Sequence, residues 1–478
     1  MRTDLFIGND WRAATSGEAF AVVNPATEEV LGHVQHAGPA DVDAAVVSAR
    51  ACFESDAWQG LAARKRGEML YRAGELLAQR RDEMAALETR QNGKPLFESK
   101  IDVTMTVETL KYYAGWTDKY AGSLVPVESG DFVFTDRVPL GVVGAIVPWN
   151  FPLNLASWKF APALAAGCTV ILKPASETPL TALLMAEIMQ EAGLPPGAFN
   201  VIPGGGSTTG SALVKHPGVD KISFTGSTAV GKQIMRDAAE TVKRVTLELG
   251  GKSPNVIFAD ADLKAAVRGA QTGIFYGKGE VCAAGSRLLV ERPVHDQVVE
   301  ELAARARKLT PGDPFDKNTR LGAVVSKKQQ ETVLSYVEAG KQDGARLVAG
   351  GKAATVNGKG YFVEATVFDE ARPGMRIVDE EIFGPVLAVV SFDGVEEGVR
   401  LANETIYGLA AGIWTKDITK ALTVARAIRA GTVWVNTYNL YDSAAPFGGF
   451  KQSGYGRDLG REALDGYTDA KTVWVGLR

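Results

Sequence analysis

Two amphipathic stretches stand near the start of the chain. ADVDAAVVSARACFES and LAARKRGEMLYRAGELLAQRRDEMAAL both repeat apolar residues at helical spacing, and each predicts a helix. From residue 141 the rhythm changes to short apolar runs alternating with helical stretches. GVVGAIVPW, CTVILKP, FNVIPG, DKISFTG and RVTLELG predict strands. SWKFAPALAAG, TPLTALLMAEIMQEAG and the segments 207–215 and 228–241 predict helices between them. Strands apolar on both faces, each followed by a helix, are the pattern of a parallel, doubly wound sheet. Such sheets bind ligands at the carboxyl ends of their strands.

A second alternating region runs from about 254 to 450 and predicts another α/β domain; NVIFADA, SRLLVERPV, AVVSFDG and TVWVNT are among its runs. Between them lies a long helix at HDQVVEELAARARKL. LVPVESGDFVFTDRVP alternates around a Ser-Gly-Asp turn and predicts a hairpin. The last stretch, KTVWVGLR, is strand-like and apolar for a free tail, which predicts an oligomer interface. The expected fold is therefore α/β, with a doubly wound first domain, a second α/β domain and a small β element.

Composition narrows the class. With 478 residues, 46% hydrophobic and 23% charged, the chain is too long for one core and predicts two or three domains. A net charge of −4 gives no electrostatic reason for nucleic acid or an acidic membrane as partner. No apolar run has membrane-spanning length, and MRTDLFIGNDWR lacks the apolar core of a secretory signal. Three cysteines, widely spaced at 52, 168 and 282, make no disulfide framework, so a reducing cytoplasmic home is expected. The histidines at 33, 36, 216 and 295 show no ligand spacing and no CxxC occurs, so no metal site is expected.

Several short motifs could carry chemistry. GEVCAAGSR sets Cys282 among small residues, which leaves the sulfur approachable; a quiet buried thiol is the other reading. FTGSTAVGK places Gly226, Ser227 and Gly231 between a strand and a helix, where backbone amides attract phosphate or simply make a turn. Lys173, at the end of the strand in LKPASETP, reads as a donor to a ribose or as a solvent-facing lysine. Asn150 in VPWNFPLN is either a fixed amide donor for an oxyanion or an Asx-turn residue. Glu248 in LELGGKSP sits among apolar neighbours, which suits a general base, or it pairs with a lysine. EEIFGPV and PFGGFKQSGYGRDLG are glycine- and aromatic-rich loops that could line a pocket.

Together, and in this order, these motifs resemble the aldehyde dehydrogenase superfamily over nearly the whole chain: PWNFP, the lysine of KPASETP, FTGS, ELGGK, the cysteine loop with AGSR, EIFGPV and PFGGFKxSGxGR. The separation of 34 positions from Glu248 to Cys282 is also the family's usual one. The resemblance implies Cys282 as nucleophile and Asn150 with the Cys282 backbone N–H as oxyanion holders. Glu248 is then the base that hydrolyses a thioester, and Lys173 completes the catalytic set. The implied cofactor is NADP or NAD. Val147, Pro148, Trp149, Lys173, Ser176, Gly206, Gly210, Phe224, Gly226, Ser227, Glu248 and Leu249 would surround it from the first domain, Glu381 and Phe383 from the second. The implied domains are 1–120 with 140–250 for the cofactor and 251–450 for catalysis; 121–139 and 465–478 form a bridging part that makes a homodimer or homotetramer.

Three positions depart from the family pattern. Ser176 stands where NAD-preferring members often carry a glutamate that accepts the ribose hydroxyls, so NADP should be accepted. Glu280 replaces a frequent glutamine; facing Cys282, it would raise the thiol pKa. Gly277 replaces a common asparagine. The positions that line the family's access tunnel are Leu155, Trp158, Tyr276, Tyr441 and Phe447, with no arginine for a second carboxylate. The small-molecule substrate expected is an aromatic or medium-chain aliphatic aldehyde. The alternatives are a CoA-acylating enzyme, against which Glu248 argues, and a semialdehyde or aminoaldehyde dehydrogenase.

Overall fold

The computed structural model describes residues 2–477. Its first sheet has eight strands, in the order Asp10–Arg12, Leu5–Ile7, Phe199–Val201, Thr169–Lys173, Val142–Ile146, Lys221–Thr225, Arg244–Glu248, Gly454–Tyr455. The five strands from Phe199–Val201 to Arg244–Glu248 run parallel, and antiparallel edges flank them. Chain order reverses between Val142–Ile146 and Lys221–Thr225. A crevice opens at such a reversal, because the two following connections leave on opposite faces. The three central strands are buried at every position, which is why they read as unbroken apolar runs.

The second sheet has seven strands, in the order Arg346–Ala349, Thr366–Asp369, Val386–Phe392, Arg287–Glu291, Pro254–Ile257, Ala410–Trp414, Thr432–Val435. All are parallel except the first. Only five residues link Glu248, which ends a strand of the first sheet, to Pro254, which begins one of the second. The carboxyl edge of one sheet thereby faces the amino edge of the other. The edge expected from the sequence to bind ligand is the carboxyl edge of the first sheet, and opposite it the second sheet presents the loops that precede its strands.

Phe132–Pro139 pairs with Leu124–Val125 and, over eight residues, with Thr468–Val475, so the predicted hairpin and the apolar tail share one small sheet. That sheet leaves Leu124, Trp474 and Leu477 more than half exposed. Among the described residues no helix is long and apolar enough to cross a membrane.

Two helical expectations change. The second amphipathic stretch forms two helices, Ala63–Gln79 and Arg81–Asn92, broken at Arg80 (φ −98°, ψ 18°). A further helix, Leu96–Ala114, was not signalled by the pattern. Its buried face carries Glu98, Ser99, Asp102, Thr106 and Thr109 as well as Val103, Leu110 and Tyr113, so polar residues interrupt its helical period and hide it from a search for apolar spacing.

Candidate active site

The loop that carries Cys282 is built by a strained turn. Helix Leu263–Phe275 is followed by Tyr276–Gly279, in which Gly277, Lys278 and Gly279 have φ of 57°, 62° and 72°. A Cβ at Gly279 would lie 2.1 Å from the Gly384 carbonyl oxygen, so the chain can pass there only as glycine. The loop is then fastened by Gly285 N–H to Gly273 O (2.9 Å) and by the Tyr438 hydroxyl donating to Ala283 O (2.9 Å). Cys282 is half-buried and opens on a cavity of about 420 Å³. Burial, followed by the charges of Glu381 and Glu248, pushes its thiol up to about 12. Cys52 and Cys168 are buried thiols away from this cavity.

Asn150 follows the strand Val142–Ile146 and is buried. Its Nδ2 donates to the Glu280 carbonyl (2.9 Å), which ties it to the loop two residues before Cys282. That is a tertiary bond rather than an Asx-turn closed on its own backbone. Glu280 faces neither the thiol nor solvent: Oε2 is 2.8 Å from Lys278 Nζ, and Oε1 accepts the Val325 N–H (3.0 Å). Glu280, which departs from the family pattern, is thus half of a buried ion pair with Lys278.

Glu248 ends its strand buried, with Oε2 unpartnered, and makes no direct ion pair with a lysine among the described residues. Burial, then the charge of Asp458, holds its carboxyl well above the usual range, while Lys159 and Arg457 oppose the shift. Lys159 and Asp458 themselves form a buried pair (2.9 Å). Glu381 donates nothing and accepts the Gly251 N–H (3.0 Å); a Cβ at Gly250 would lie 2.2 Å from its oxygen. Burial raises the Glu381 carboxyl to about 7.

The cofactor-side residues gather at the strand reversal of the first sheet. Val147 N–H bonds to Lys173 O (3.2 Å), which carries the parallel pairing one step past both strand ends, and Pro148 follows. Trp149 meets Phe383 edge-on, with ring centroids 5.2 Å apart, so the two sheets touch through these rings. Lys173 is buried without an ion-pair partner among the described residues, and desolvation lowers its ammonium to about 8. Its stem passes beneath Gly210, about 4 Å from where a Cβ would sit, in the turn Gly206–Gly210. The Phe224 ring fills the space a Cβ would need at Gly226 (2.4 Å), and Leu249 does the same at Gly231 (2.5 Å). Ser227 caps helix Thr228–Ala239 by accepting Val230 N–H (3.4 Å).

A glycine-lined helix start beside an uncompensated buried lysine is a donor set that fits a dinucleotide. Ser176 donates to Gly204 O (3.1 Å) and, with His36, Glu177 and Lys327, lines a cavity of about 400 Å³.

Leu155, Trp158, Tyr276, Tyr441 and Phe447 all line the cavity that holds Cys282. Trp158, Tyr441 and Phe447 form a triangle with centroid separations of 5.5 to 6.0 Å. Phe151 stacks on Tyr276 (6.3 Å, 15°) and receives Lys94 Nζ on a ring face at 4.1 Å. Sequence reasoning missed Phe151, Asn154, Met105 and Asn439 in this lining, as well as Lys159 and Asp458. A helical projection of residues 151–158 from PWNFP would have placed Asn154 and Leu155 beside Trp158; Met105 and Asp458 carry no such local signal.

The aldehyde dehydrogenase family model matches residues 11–473. The mitochondrial aldehyde dehydrogenase of Rattus norvegicus is 47% identical over 474 residues, which cover 98% of this chain and 91% of that protein. The NAD+ complex of an aldehyde dehydrogenase from Bacillus cereus superposes with a TM-score of 0.98 at 49% identity, covering 100% of this chain and 97% of the other. The P. syringae indole-3-acetaldehyde dehydrogenase AldA, solved as a mutant with NAD+ and IAA, gives 0.98 at 47% identity, with 99% and 97% covered. The chain belongs to the aldehyde dehydrogenase family and is an NAD(P)-dependent oxidoreductase.

Proposed function

We propose that the protein oxidises an aromatic or medium-chain aliphatic aldehyde to its carboxylic acid, with Cys282 as covalent nucleophile. The observation that carries this is Cys282 in the lining of an aromatic cavity, with Asn150 tied to its loop at Glu280 O and the charge of the buried Glu248 bearing on its thiol. The Cys282 thiolate adds to the aldehyde carbon and forms a thiohemiacetal. The Asn150 amide has a second N–H beyond the one given to Glu280 O, and it donates to the new oxyanion together with the Cys282 backbone N–H. A nicotinamide cofactor, when bound, would supply the acceptor for the hydride that leaves carbon. Glu248 then takes a proton from water, which attacks the thioester on Cys282 and releases the acid and the thiol.

Val147, Trp149, Lys173, Gly226 and Ser227 would hold the cofactor from residues 1–120 and 140–250, with Glu381 and Phe383 reaching from 251–450. Ser176 itself puts no negative charge against a 2′-phosphate, and Lys327 lines the same cavity, balancing Glu177 there, so NADP is accepted as well as NAD. The cavity has no lysine or arginine in its lining to hold a second carboxylate, which favours aromatic substrates over semialdehyde acids. The edges of the small sheet around Thr468–Val475 would pair copies into a homodimer or homotetramer in the cytoplasm.

An aldehyde panel assayed with NAD or NADP, with and without CoA, tests the reading through nicotinamide absorbance. Reduction without CoA, fastest for aryl or medium-chain aldehydes, is expected. A strict need for CoA, or preference for a semialdehyde acid, overturns it.

A further inference from the structure

Lys278 and Glu280 have no place in the steps above, yet both are buried beside the nucleophile loop. Lys278 Nζ lies 2.8 Å from Glu280 Oε2 and donates to Asn92 Oδ1 (2.7 Å) and Asn92 O (2.9 Å). Asn92 Nδ2 donates in turn to Trp149 O (2.8 Å) and Asn150 O (3.4 Å). Asn150 Nδ2 closes the circuit on Glu280 O (2.9 Å). The circuit runs from one sheet's strand end to the other's nucleophile loop and back, through a helix C-terminus at Asn92.

Its members are 4% exposed or less, so water does not compete for these bonds. Lys278 keeps its left-handed φ of 62° despite its side chain, at a cost of about 1 kcal/mol or more. Its three contacts are what offset that strain. The adjoining groups brace the same turn: Glu98 accepts the Gly277 N–H (3.2 Å), and Lys94, paired with Asp102 (2.5 Å), sits over the Phe151 ring. A buried ion pair is seldom better than apolar packing for stability, but it fixes direction, because each charge tolerates few geometries.

We propose that the Lys278–Glu280 ion pair is a positioning device for the oxyanion donor, acting through Asn92 to fix where the Asn150 amide points. This rests on the reading of Asn150 as that donor. Neither charged residue touches the substrate cavity, so the pair acts on the rate of the step that develops the oxyanion and leaves cofactor binding alone.

The test is the single-turnover rate of nicotinamide reduction by full-length protein at saturating cofactor. Asn92→Ala, Lys278→Gln and the neutral double variant Lys278→Gln/Glu280→Gln are each made in the native chain and in Asn150→Ala. Misplacing the donor is expected to slow reduction about 10- to 100-fold in the native background. Cofactor KM stays within about twofold, since only a transition-state contact is lost. In Asn150→Ala the same changes cost less than about twofold, because the group they position is gone. Equal losses in both backgrounds overturn the proposal, and so does a neutral double variant that reduces at the native rate. The double variant leaves no buried charge unpaired, so it decides the matter where Lys278→Gln alone fails to fold. If Asn150→Ala itself reduces at the native rate, it is the reading of Asn150 that fails.

Discussion

Lys159 and Asp458 pair at 2.9 Å with side chains 1% and 3% exposed, and their charges act in opposite senses on Glu248. Asp458 raises the Glu248 carboxyl and Lys159 lowers it. Asp458→Asn removes the raising charge and frees the lysine's, so the pKa of Glu248 falls. The expected outcome is a pH profile of kcat displaced to lower pH, because the base form of Glu248 appears earlier. Folding stability should fall by about 3 kcal/mol or more as Lys159 is left buried without its partner. Initial rates across the neutral range and thermal melting check both, and an unmoved profile removes Asp458 from control of the base.

The two chemical roles separate by mutation. Cys282→Ser should abolish oxidation. Glu248→Gln should still reduce one equivalent of cofactor and then stop, because the thioester forms but water is not activated. A stopped-flow trace distinguishes a stalled burst from steady turnover, and steady turnover means that Glu248 is not the base.

The thiol itself should respond to its carboxylates. With its pKa pushed up to about 12, the thiolate fraction of Cys282 in the cofactor-free protein grows with pH throughout the neutral range. Alkylation by iodoacetamide is therefore expected to quicken about tenfold per pH unit. Glu381→Gln removes the largest charge that raises the thiol, so its alkylation at about pH 8 should be faster than native. Slower labelling would mean that Glu381 does not face the sulfur as a charge.

The proposed acceptance of NADP rests on Ser176. Ser176→Glu places a carboxylate against the 2′ position and should cut kcat/KM for NADP by about tenfold or more through like-charge repulsion, while NAD is kept or improved. Steady-state constants for both cofactors measure this. A native enzyme that already rejects NADP refutes the expectation.

The aromatic triangle should set substrate preference. Phe447 makes edge contacts with Trp158 (5.5 Å) and Tyr441 (5.5 Å), each worth about 1 kcal/mol. Phe447→Ala should lower kcat/KM for benzaldehyde about tenfold relative to acetaldehyde, because the small aldehyde does not reach the ring positions. Equal losses for the two substrates would place Phe447 in the scaffold alone.

Much of this was legible locally. Cys282, Asn150, Lys173 and Glu248 stand in short motifs whose glycines and prolines mark turns at strand ends, and the structure puts them on facing edges of two sheets. The tunnel residues Leu155, Trp158, Tyr276, Tyr441 and Phe447 also share one cavity, as the motif order implied. Helix Leu96–Ala114 was not legible, because polar residues such as Glu98, Asp102 and Thr106 interrupt its inward face. The direction of Glu280 was not legible either: a residue two places from a thiol can point to it or away, and only Lys278 and the Val325 N–H decide.

The amino-acid sequence by itself determined the doubly wound sheet and the turns, since strand periodicity and turn glycines are local properties, and it offered the candidate reacting groups through their motifs. Tertiary structure alone decided which charges face one another. Asn92 and Lys278 are 186 residues apart, Lys159 and Asp458 are 299, and yet each pair is in hydrogen-bond contact. Electrostatic energy depends on distance in space and on burial, and neither is written in sequence separation.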